Sequence, residues 1–352
     1  TDLRIKVRNV DGWDIAEQYR SLPGVNSVVS ALKGTGSGIP NINSSFKIFG
    51  VESARFGSVA WFREDFSNTP LIELMDSLGS NLPSQSITIP EHATKLSIWA
   101  KLELKSATLS VEILVRDING TNDTLSLGRL REREWQQIRT DIPDTLIHPI
   151  QFVSLRVRPM ALGVPGKVFF DDIHAIVGPE EDIEFLEDFE KGNRWVSLPT
   201  SMEFSSSQFS IINDPQRGNL VGSYSLGQHS NKEVGGIYLS PGEDSVPVIL
   251  SSSLAQNPNT TINSSFIAEF GNTYIPMRVS DMVTYFPTMD SNNNGFLVAD
   301  LDLLLKHMRI LEPSMDRTPN EFFITLNPNH SRAEAIRSIT ASTPPSSQIL
   351  NV

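Results

Sequence analysis

The sequence predicts an α+β host domain that is interrupted by an all-β sandwich. Two observations predict this fold class. Helix-like and strand-like patterns alternate at both ends of the 352-residue chain, whereas the middle contains short strand patterns separated by turn residues. Since the two ends share the same mixture of helix and strand patterns, we expect residues 1–80 and 246–352 to fold together, and residues 81–245 to form the inserted sandwich.

The N-terminal segment predicts a strand, a helix, two further strands (residues 25–32 and 46–51) and a second helix. Residues 3–8 alternate apolar and basic side chains, as a strand with one solvated face does. Asp11 is a suitable N-cap for a helix whose apolar residues recur at helical spacing. Residues 46–51 then predict a strand, and Pro70 predicts the start of a short helix.

The middle of the chain predicts a series of short strands. These strand-like segments are 96–102, 109–115, 135–138, 152–158 and 167–173. The tetrapeptide from Asp117 to Gly120 predicts a hairpin, because its Asn-Gly pair tolerates the positive φ angles of tight turns. Regularly spaced strands without helices are typical of a sandwich.

The C-terminal segment returns to a mixture of strands and helices. Residues 246–250 predict a buried strand, and Asp300 begins a helical pattern. Ser331 predicts the N-cap of a final helix. The tail from Thr340 is rich in Ser, Thr and Pro, which predicts a linker.

Composition excludes several classes of function. The net charge of -12 argues against nucleic-acid binding and against a polybasic membrane contact. The absence of Cys excludes disulfides and thiolate metal sites, and it favours an oxidising exterior. No apolar run approaches the roughly 20 residues that a membrane-spanning helix needs.

The motifs that resemble catalytic or nucleotide sites are incomplete. The Gly-Thr-Gly-Ser-Gly run from Gly34 to Gly38 has no lysine behind it, so we expect a flexible loop and no ATP hydrolysis. Residues 290–295 imitate the start of a calcium loop, but Leu301 occupies the position of its bidentate Glu. Ser225 lies in a segment that misses the nucleophile-elbow pattern. The histidines, which lack metal-ligand spacing, are His92, His148, His174, His229, His307 and His330. We therefore expect no enzyme.

The carboxylates at the middle of the chain allow a further hypothesis. Asp171 and Asp172 lie near the end of one strand pattern, and Glu187, Asp188 and Glu190 open the next. If these two strands pair, several carboxylates converge where they could bind a hard cation. A solvated acidic rim is the alternative.

Five segments near the chain ends resemble a known family when they are taken in order. They are 22–25 (LPGV), 47–56 (KIFGVESARF), 246–255 (VPVILSSSLA), 283–290 (VTYFPTMD) and 296–301 (FLVADL). Together they resemble the extracytoplasmic domain of FtsX-like and MacB-like ABC transporter permeases. The resemblance implies a MacB-like periplasmic core of βαβ type as the host domain.

The resemblance also implies a location and partners. Such a domain lies outside the bacterial cell membrane, between two transmembrane helices of its own chain, with both termini facing the membrane. Its ATPase is a separate subunit on the cytoplasmic side. The implied function is non-catalytic: ATP-driven membrane movements are coupled to an external protein or to a lipid or peptide substrate.

The middle of the chain resembles a galactose-binding-like jelly roll. Residues 168–175 look like the last strand of such modules, and residues 186–190 with Trp195 look like the first. Because the usual last strand precedes the usual first one, a circularly permuted jelly roll is one interpretation. A plain sandwich that ends near Gly178, followed by a separate β segment, is the other. Structural Ca²⁺ often lies by these two strands, which makes Asp172 and Glu190 the candidate metal ligands.

Carbohydrate binding is the alternative function that this second resemblance implies. A secreted or surface carbohydrate-binding module would need exposed aromatic side chains that stack on a sugar. The candidates in the insert are Trp99, Trp135 and Trp195, but all three lie in strand-like alternation, which favours packing in the core. We expect no cofactor other than the structural calcium.

Overall fold

The chain folds into two compact units in the computed structural model. One unit comprises Thr1–Asn81 and Ser245–Val352, and the other comprises Leu82–Asp244. The boundaries expected from the sequence were 80/81 and 245/246. The structure describes residues 1–8, 10–39, 45–63, 65–79, 85–103, 109–130, 133–159, 166–190, 195–199, 208–226, 234–255, 260–271, 273–289, 295–314 and 317–351.

Strands account for most of the regular structure. They are β1 (Leu3–Lys6), β2 (Val25–Ile39), β3 (Ser45–Val51), β4 (Ile87–Ile89), β5 (Ala93–Glu103), β6 (Leu109–Arg116), β7 (Asn122–Leu130), β8 (Gln136–Asp141), β9 (Ile150–Pro159), β10 (Gly166–Val177), β11 (Asp182–Glu187), β12 (Trp195–Ser197), β13 (Gln208–Asp214), β14 (Asn219–Leu226), β15 (Gly235–Leu239), β16 (Val246–Ser251), β17 (Ser265–Phe270), β18 (Thr273–Val283), β19 (Phe296–Asp300), β20 (Glu321–Leu326) and β21 (Gln348–Asn351). The helices are α1 (Gly12–Arg20), α2 (Ser53–Phe56), α3 (Leu71–Asp76), α4 (Leu301–Leu311) and α5 (Arg332–Ser342).

The expected fold class is wrong for the host domain, which was predicted to be α+β. Of the described residues, 52% lie in strands and 14% in helices, and the strands form large sheets as in an all-β protein. The reason is the length of the individual helices and strands. The predicted helices exist, but they are short, whereas β2 has 15 residues and continues through a segment that reads as a loop, and β18 has 11 residues.

The first unit is built on one nine-stranded sheet. Its strand order is β17-β18-β16-β19-β3-β2-β20-β1-β21, and β17 also pairs with β2. The long β2 has partners in different parts of this path: its first half pairs with β20, and its last residues pair with β17 at one end of the path. Six strands, from β2 through β3, β19, β16, β18 and β17, therefore form a closed ring of neighbours.

Helices cover the faces of this sheet. Leu301, Leu304 and Met308 of α4 pack into one apolar cluster with the strands of the ring. The helices α1 and α5 pack against β1 and β20, and α2 and α3 contribute to an aromatic cluster around Phe49 and Phe56. The starts of α1, α4 and α5 are the predicted ones, because the side chains of Asp11, Asp300 and Ser331 accept backbone N–H bonds as N-caps.

The predicted Gly-rich loop is a strand. The segment from Gly34 to Gly38 continues β2, and its glycines give space to neighbouring side chains rather than to a phosphate. A Cβ on Gly34 would lie 2.3 Å from the ring of Phe270, and one on Gly36 would lie 2.6 Å from the side chain of Ile48. Close packing across the sheet therefore explains these two glycines.

The predicted C-terminal linker is also structured. The tail ends in β21, which pairs antiparallel with β1, with Leu3 opposite Asn351. One edge of β1 would have unpaired backbone N–H and C=O groups, and the tail forms hydrogen bonds with them although its composition is typical of a linker. In the described part of the chain, no helix has the length and apolar character needed to cross a membrane.

The second unit consists of two sheets that share one apolar core. One sheet has the order β13-β14-β10-β5-β8 with β11 attached to β10, and the other has the order β12-β15-β9-β6-β7 with β4 attached to β9. Strands from both sheets contribute to the same hydrophobic cluster, which makes the unit a β-sandwich. The hairpin predicted at Asp117 is confirmed: Gly120, at φ 82°, donates its N–H to the Asp117 carbonyl.

The alternative in which the sandwich ends near Gly178 is wrong. Strands that follow Gly178 belong to both sheets, since β14 pairs with β10 and β15 pairs with β9. Of the two segments that suggested a circular permutation, 168–175 lies in β10, whereas 186–190 begins with the last two residues of β11 and continues past its end. β10 and β11 are antiparallel neighbours. The jelly-roll assignment itself stays a prediction.

Candidate functional site

A dense group of charged and aromatic side chains lies on the outer face of the sheet that contains β5 and β10. Successive residues of a strand point to opposite faces. In β5, Leu96 and Ile98 therefore enter the core, while Trp99 and Lys101 lie on the outer face. Asp171 of β10 is the register partner of Trp99, which places a carboxyl group beside the indole ring.

An irregularity in β10 shapes this face. The register with β5 shifts between Asp171 and His174, and Asp172 adopts a φ of 45°, a conformation that few residues other than glycine take. The imidazole Nδ1 of His174 lies 2.9 Å from the Asp172 carbonyl, and the Asp171 carboxylate accepts the N–H of Asp172 at 2.9 Å. This bulge brings both aspartates to one place.

Arg217 joins the two aspartates to two tryptophans. Its Nε donates to Asp171 Oδ2 at 2.6 Å, and its Nη2 donates to Asp172. The guanidinium carbon lies 4.9 Å from the ring centre of Trp99 and 5.5 Å from that of Trp135. Such stacking suits a planar, delocalised cation.

Lys101 is the second cation of the group. Its Nζ lies 3.2 Å from Asp214 Oδ2 and 2.8 Å from Gln216 Oε1. The ammonium also lies 5.6 Å from the ring centre of Trp135 and 5.3 Å from that of Phe169. The turn between β13 and β14 is thereby attached to the outer face of β5 and β10.

Burial dominates the electrostatics of Asp171. Its side chain is inaccessible to solvent, and this burial raises the pKa of the carboxyl group, while the hydrogen bond from Arg217 opposes the rise. The network is therefore a nearly buried ion pair in which the cation compensates part of the cost of burying the carboxylate.

The predicted metal ligands have protein partners. Asp172 binds the guanidinium of Arg217, and Glu190 Oε1 accepts the N–H of Leu220 at 2.6 Å. A cation at Asp172 would be repelled by the positive charge of Arg217. Within the described residues, no three side chains of the His, Cys, Asp and Glu types are grouped so that they could hold a metal ion. The structural calcium at Asp172 and Glu190 stays a prediction without further support.

The three tryptophans of the insert differ in environment. Trp195 lies in the core, where its Nε1 donates to Glu187 Oε2 at 2.9 Å and its ring packs edge-on against Phe152. Trp99 and Trp135 are half-buried on the outer face, with Arg217 over both rings. The strand-like alternation in the sequence favoured core packing for all three tryptophans. The structure shows core packing for Trp195 but not for the other two.

The other sequence candidates do not assemble into a site. Ser225 lies in β14 and pairs with β10, so it is not at a strand-to-helix turn. His174 and His307 are buried in different units, and no described histidine has a metal-ligand partner set. Residues 290–294 of the calcium-loop-like segment, and His229, lie outside the described residues.

The two cations of the outer face were not predicted. Arg217 and Lys101 carry no motif, and they meet the aspartates and tryptophans only because β14 and β5 flank β10. The carboxylates Asp171 and Asp172 were the one signal of this site in the sequence. Comparison of the chain with protein-family models, with curated proteins and with solved structures gave no match.

Proposed function

We propose that this chain is a non-catalytic, extracytoplasmic domain of an ABC transporter permease of the FtsX-like and MacB-like type. One observation carries the proposal: β1 and β21 are antiparallel neighbours, with Leu3 opposite Asn351. The polypeptide therefore enters and leaves the first unit side by side. A domain held between two transmembrane helices needs this arrangement, because both helices must meet the same membrane surface.

The positions of the family-like segments support the proposal. The segment 47–56 forms most of β3 and all of α2, 246–255 begins with β16, and 296–301 forms β19 and the first residue of α4. These strands are consecutive in the sheet, in the order β16-β19-β3. Segments far apart in sequence thus form one continuous part of the first unit, as expected if they share one function.

The proposed role is mechanical coupling. The transmembrane helices of the same chain move the first unit when a separate cytoplasmic ATPase hydrolyses ATP, and an external protein, lipid or peptide receives the movement. Transmission of force requires rigid units, and within the sandwich Arg217 joins β10 to the turn that precedes β14.

The reading frame that encodes this chain provides the first test. We expect one long apolar helix shortly before residue 1 and further such helices after residue 352. Purification of the complete reading-frame product in detergent is then expected to recover an ATPase subunit with it. A reading frame that adds only a cleavable signal peptide would contradict the proposal.

The geometry does not favour the alternative of a carbohydrate-binding module. A sugar would have to stack on Trp99 or Trp135, and the guanidinium of Arg217 already lies over both rings. Trp195 is in the core.

A further inference from the structure

β11 is an edge strand of the sandwich with one side available. It pairs antiparallel with β10, and within the described residues it has no second strand partner. All side chains from residue 179 to residue 185 are exposed. An edge of this kind presents a row of backbone N–H and C=O groups to which another extended segment can add.

The side chains of β11 divide into an apolar and an acidic face. Ile183 and Phe185 are 56% and 63% exposed, and their register partners Ile176 and His174 place them on the outer face of the sheet. The Phe185 ring lies 6.0 Å from the His174 ring. Glu184 points to the opposite side, as the alternation of a strand requires.

Glu184 lies at a cavity of about 280 Å³ between β11 and β4. The apolar lining comes from Ile89, Pro90 and Pro149, while Glu91, Glu184 and His148 contribute the ionisable groups. Both glutamates are exposed, and neither has an ion-pair partner in the part of the chain that the structure describes. A cavity lined by both apolar side chains and carboxylates suits the side chain of a lysine or an arginine.

We propose that the edge of β11 binds an extended peptide segment of another protein in which basic and apolar residues alternate. The segment adds to β11 as a further strand through backbone hydrogen bonds. A basic side chain enters the cavity between Glu91 and Glu184, and the apolar side chains lie beside Ile183 and Phe185. This inference does not depend on the permease assignment.

The charge of the edge selects this occupant over a second copy of the chain. The exposed part of β11 contains Asp182 and Glu184 and no basic residue, so two β11 edges would repel each other. Acidic residues that serve only to prevent aggregation would not need two large apolar side chains between them. The alternation of both types matches the two faces of one added strand.

A labelled peptide of about eight residues with alternating arginine and valine tests the proposal by fluorescence anisotropy. The control peptide contains the same residues as one arginine block followed by one valine block, so that only the alternation differs. We expect saturable binding of the alternating peptide, at least about 10-fold tighter than that of the block peptide. Equal binding of the two peptides would show a bulk charge effect and would overturn the proposal.

Two pairs of substitutions locate the binding. The double variant Glu91→Lys, Glu184→Lys is expected to weaken binding of the alternating peptide about 10-fold or more, because it reverses the charge of the cavity lining. The matched control is Glu103→Lys with Glu134→Lys, which makes the same change of charge at two exposed carboxylates elsewhere in the same unit. Binding that falls equally in both double variants would contradict the assigned edge.

Hydrogen exchange and sedimentation complete the test. The alternating peptide is expected to slow exchange of backbone amides in β11, whose outward N–H groups become hydrogen-bonded. Unchanged exchange there would refute strand addition. Concentration-dependent self-association that is lost in the variant Ile183→Ser, Phe185→Ser would identify a second copy as the occupant and would also refute the proposal.

Discussion

Replacement of Arg217 by methionine isolates the energetics of the outer face. Methionine keeps a long apolar side chain over Trp99 and Trp135, but it removes the charge that pairs with Asp171 and Asp172. Removal of one partner from a buried ion pair costs about 3–5 kcal/mol, because the remaining charge is left uncompensated. Asp171 is fully buried, while Arg217 retains 19% exposure, so we expect the lower end, about 3 kcal/mol.

Urea unfolding followed by tryptophan fluorescence measures this loss. With a denaturant slope of about 2 kcal/mol per molar, a loss of about 3 kcal/mol lowers the urea midpoint at pH 7 by about 1.5 M. Arg217 lies against two of the five tryptophans, so their emission reports the transition of this unit.

The pH dependence has a definite sign. Burial raises the pKa of Asp171, so the folded state binds its proton more tightly than the unfolded state does. Stability therefore falls as the pH rises from the ordinary aspartate pKa to the raised one. Without Arg217 the pKa of Asp171 rises further, and the difference between variant and parent is expected to shrink at acid pH, where the carboxyl group is neutral.

Two further variants make the reasoning refutable. Asp171→Asn in the Arg217→Met background removes the orphaned charge and is expected to recover a large part of the loss at pH 7. Arg129→Met, on the exposed face of β7, is expected to change stability by less than about 0.5 kcal/mol. A midpoint shift for Arg217→Met no larger than that of Arg129→Met would refute the assigned ion pair.

Three other substitutions test the first unit. Asp2→Asn is expected to lower the free energy of unfolding by about 1 kcal/mol at pH 7, because the N–H of the last residue of β20, and then a guanidinium, lower the pKa of Asp2. The parent should lose this extra stability as the pH falls below about 4. Equal urea midpoints of parent and variant at pH 7 would contradict the prediction. Burial lowers the pKa of Lys33 to about 8, so the parent is expected to gain stability relative to Lys33→Met between pH 8 and 10, and parallel urea-midpoint profiles would contradict the shift. Gly34→Ala forces a Cβ against Phe270 and should cost about 1–3 kcal/mol by calorimetry, whereas Gly57→Ala, with no atom near the new Cβ, should cost much less; similar losses would refute the packing explanation.

Local patterns in the sequence predicted individual elements well. Asp11, Asp300 and Ser331 are N-caps because a cap acts through a hydrogen bond to a backbone N–H two or three residues away. The hairpin at Asp117 formed for a similarly local reason. The fold class was predicted wrongly, because periodicity does not reveal how far a strand such as β2 extends through a glycine-rich segment.

In the candidate site, too, the local pattern was predicted from the sequence and the distant partner was not. The sequence singled out Asp171 and Asp172, since adjacent carboxylates on a strand are visible in one segment. Their partner was predicted to be a cation from solution, and it is Arg217 from a distant turn. A metal ion and a guanidinium satisfy the same carboxylate charge, so the sequence alone does not distinguish them.

The short-range features follow from the amino-acid order alone: the helix starts, the alternating strand faces, the acidic balance and the tight turns. These depend on interactions within a few residues or on composition. Which strands are neighbours became known only from the folded chain, including the pairing of β1 with β21, the pairing of β2 with β17 and the contact of Arg217 with β10. Such contacts join residues that are far apart along the chain, and they form because unpaired strand edges and buried charges must each be satisfied by whatever the fold brings next to them.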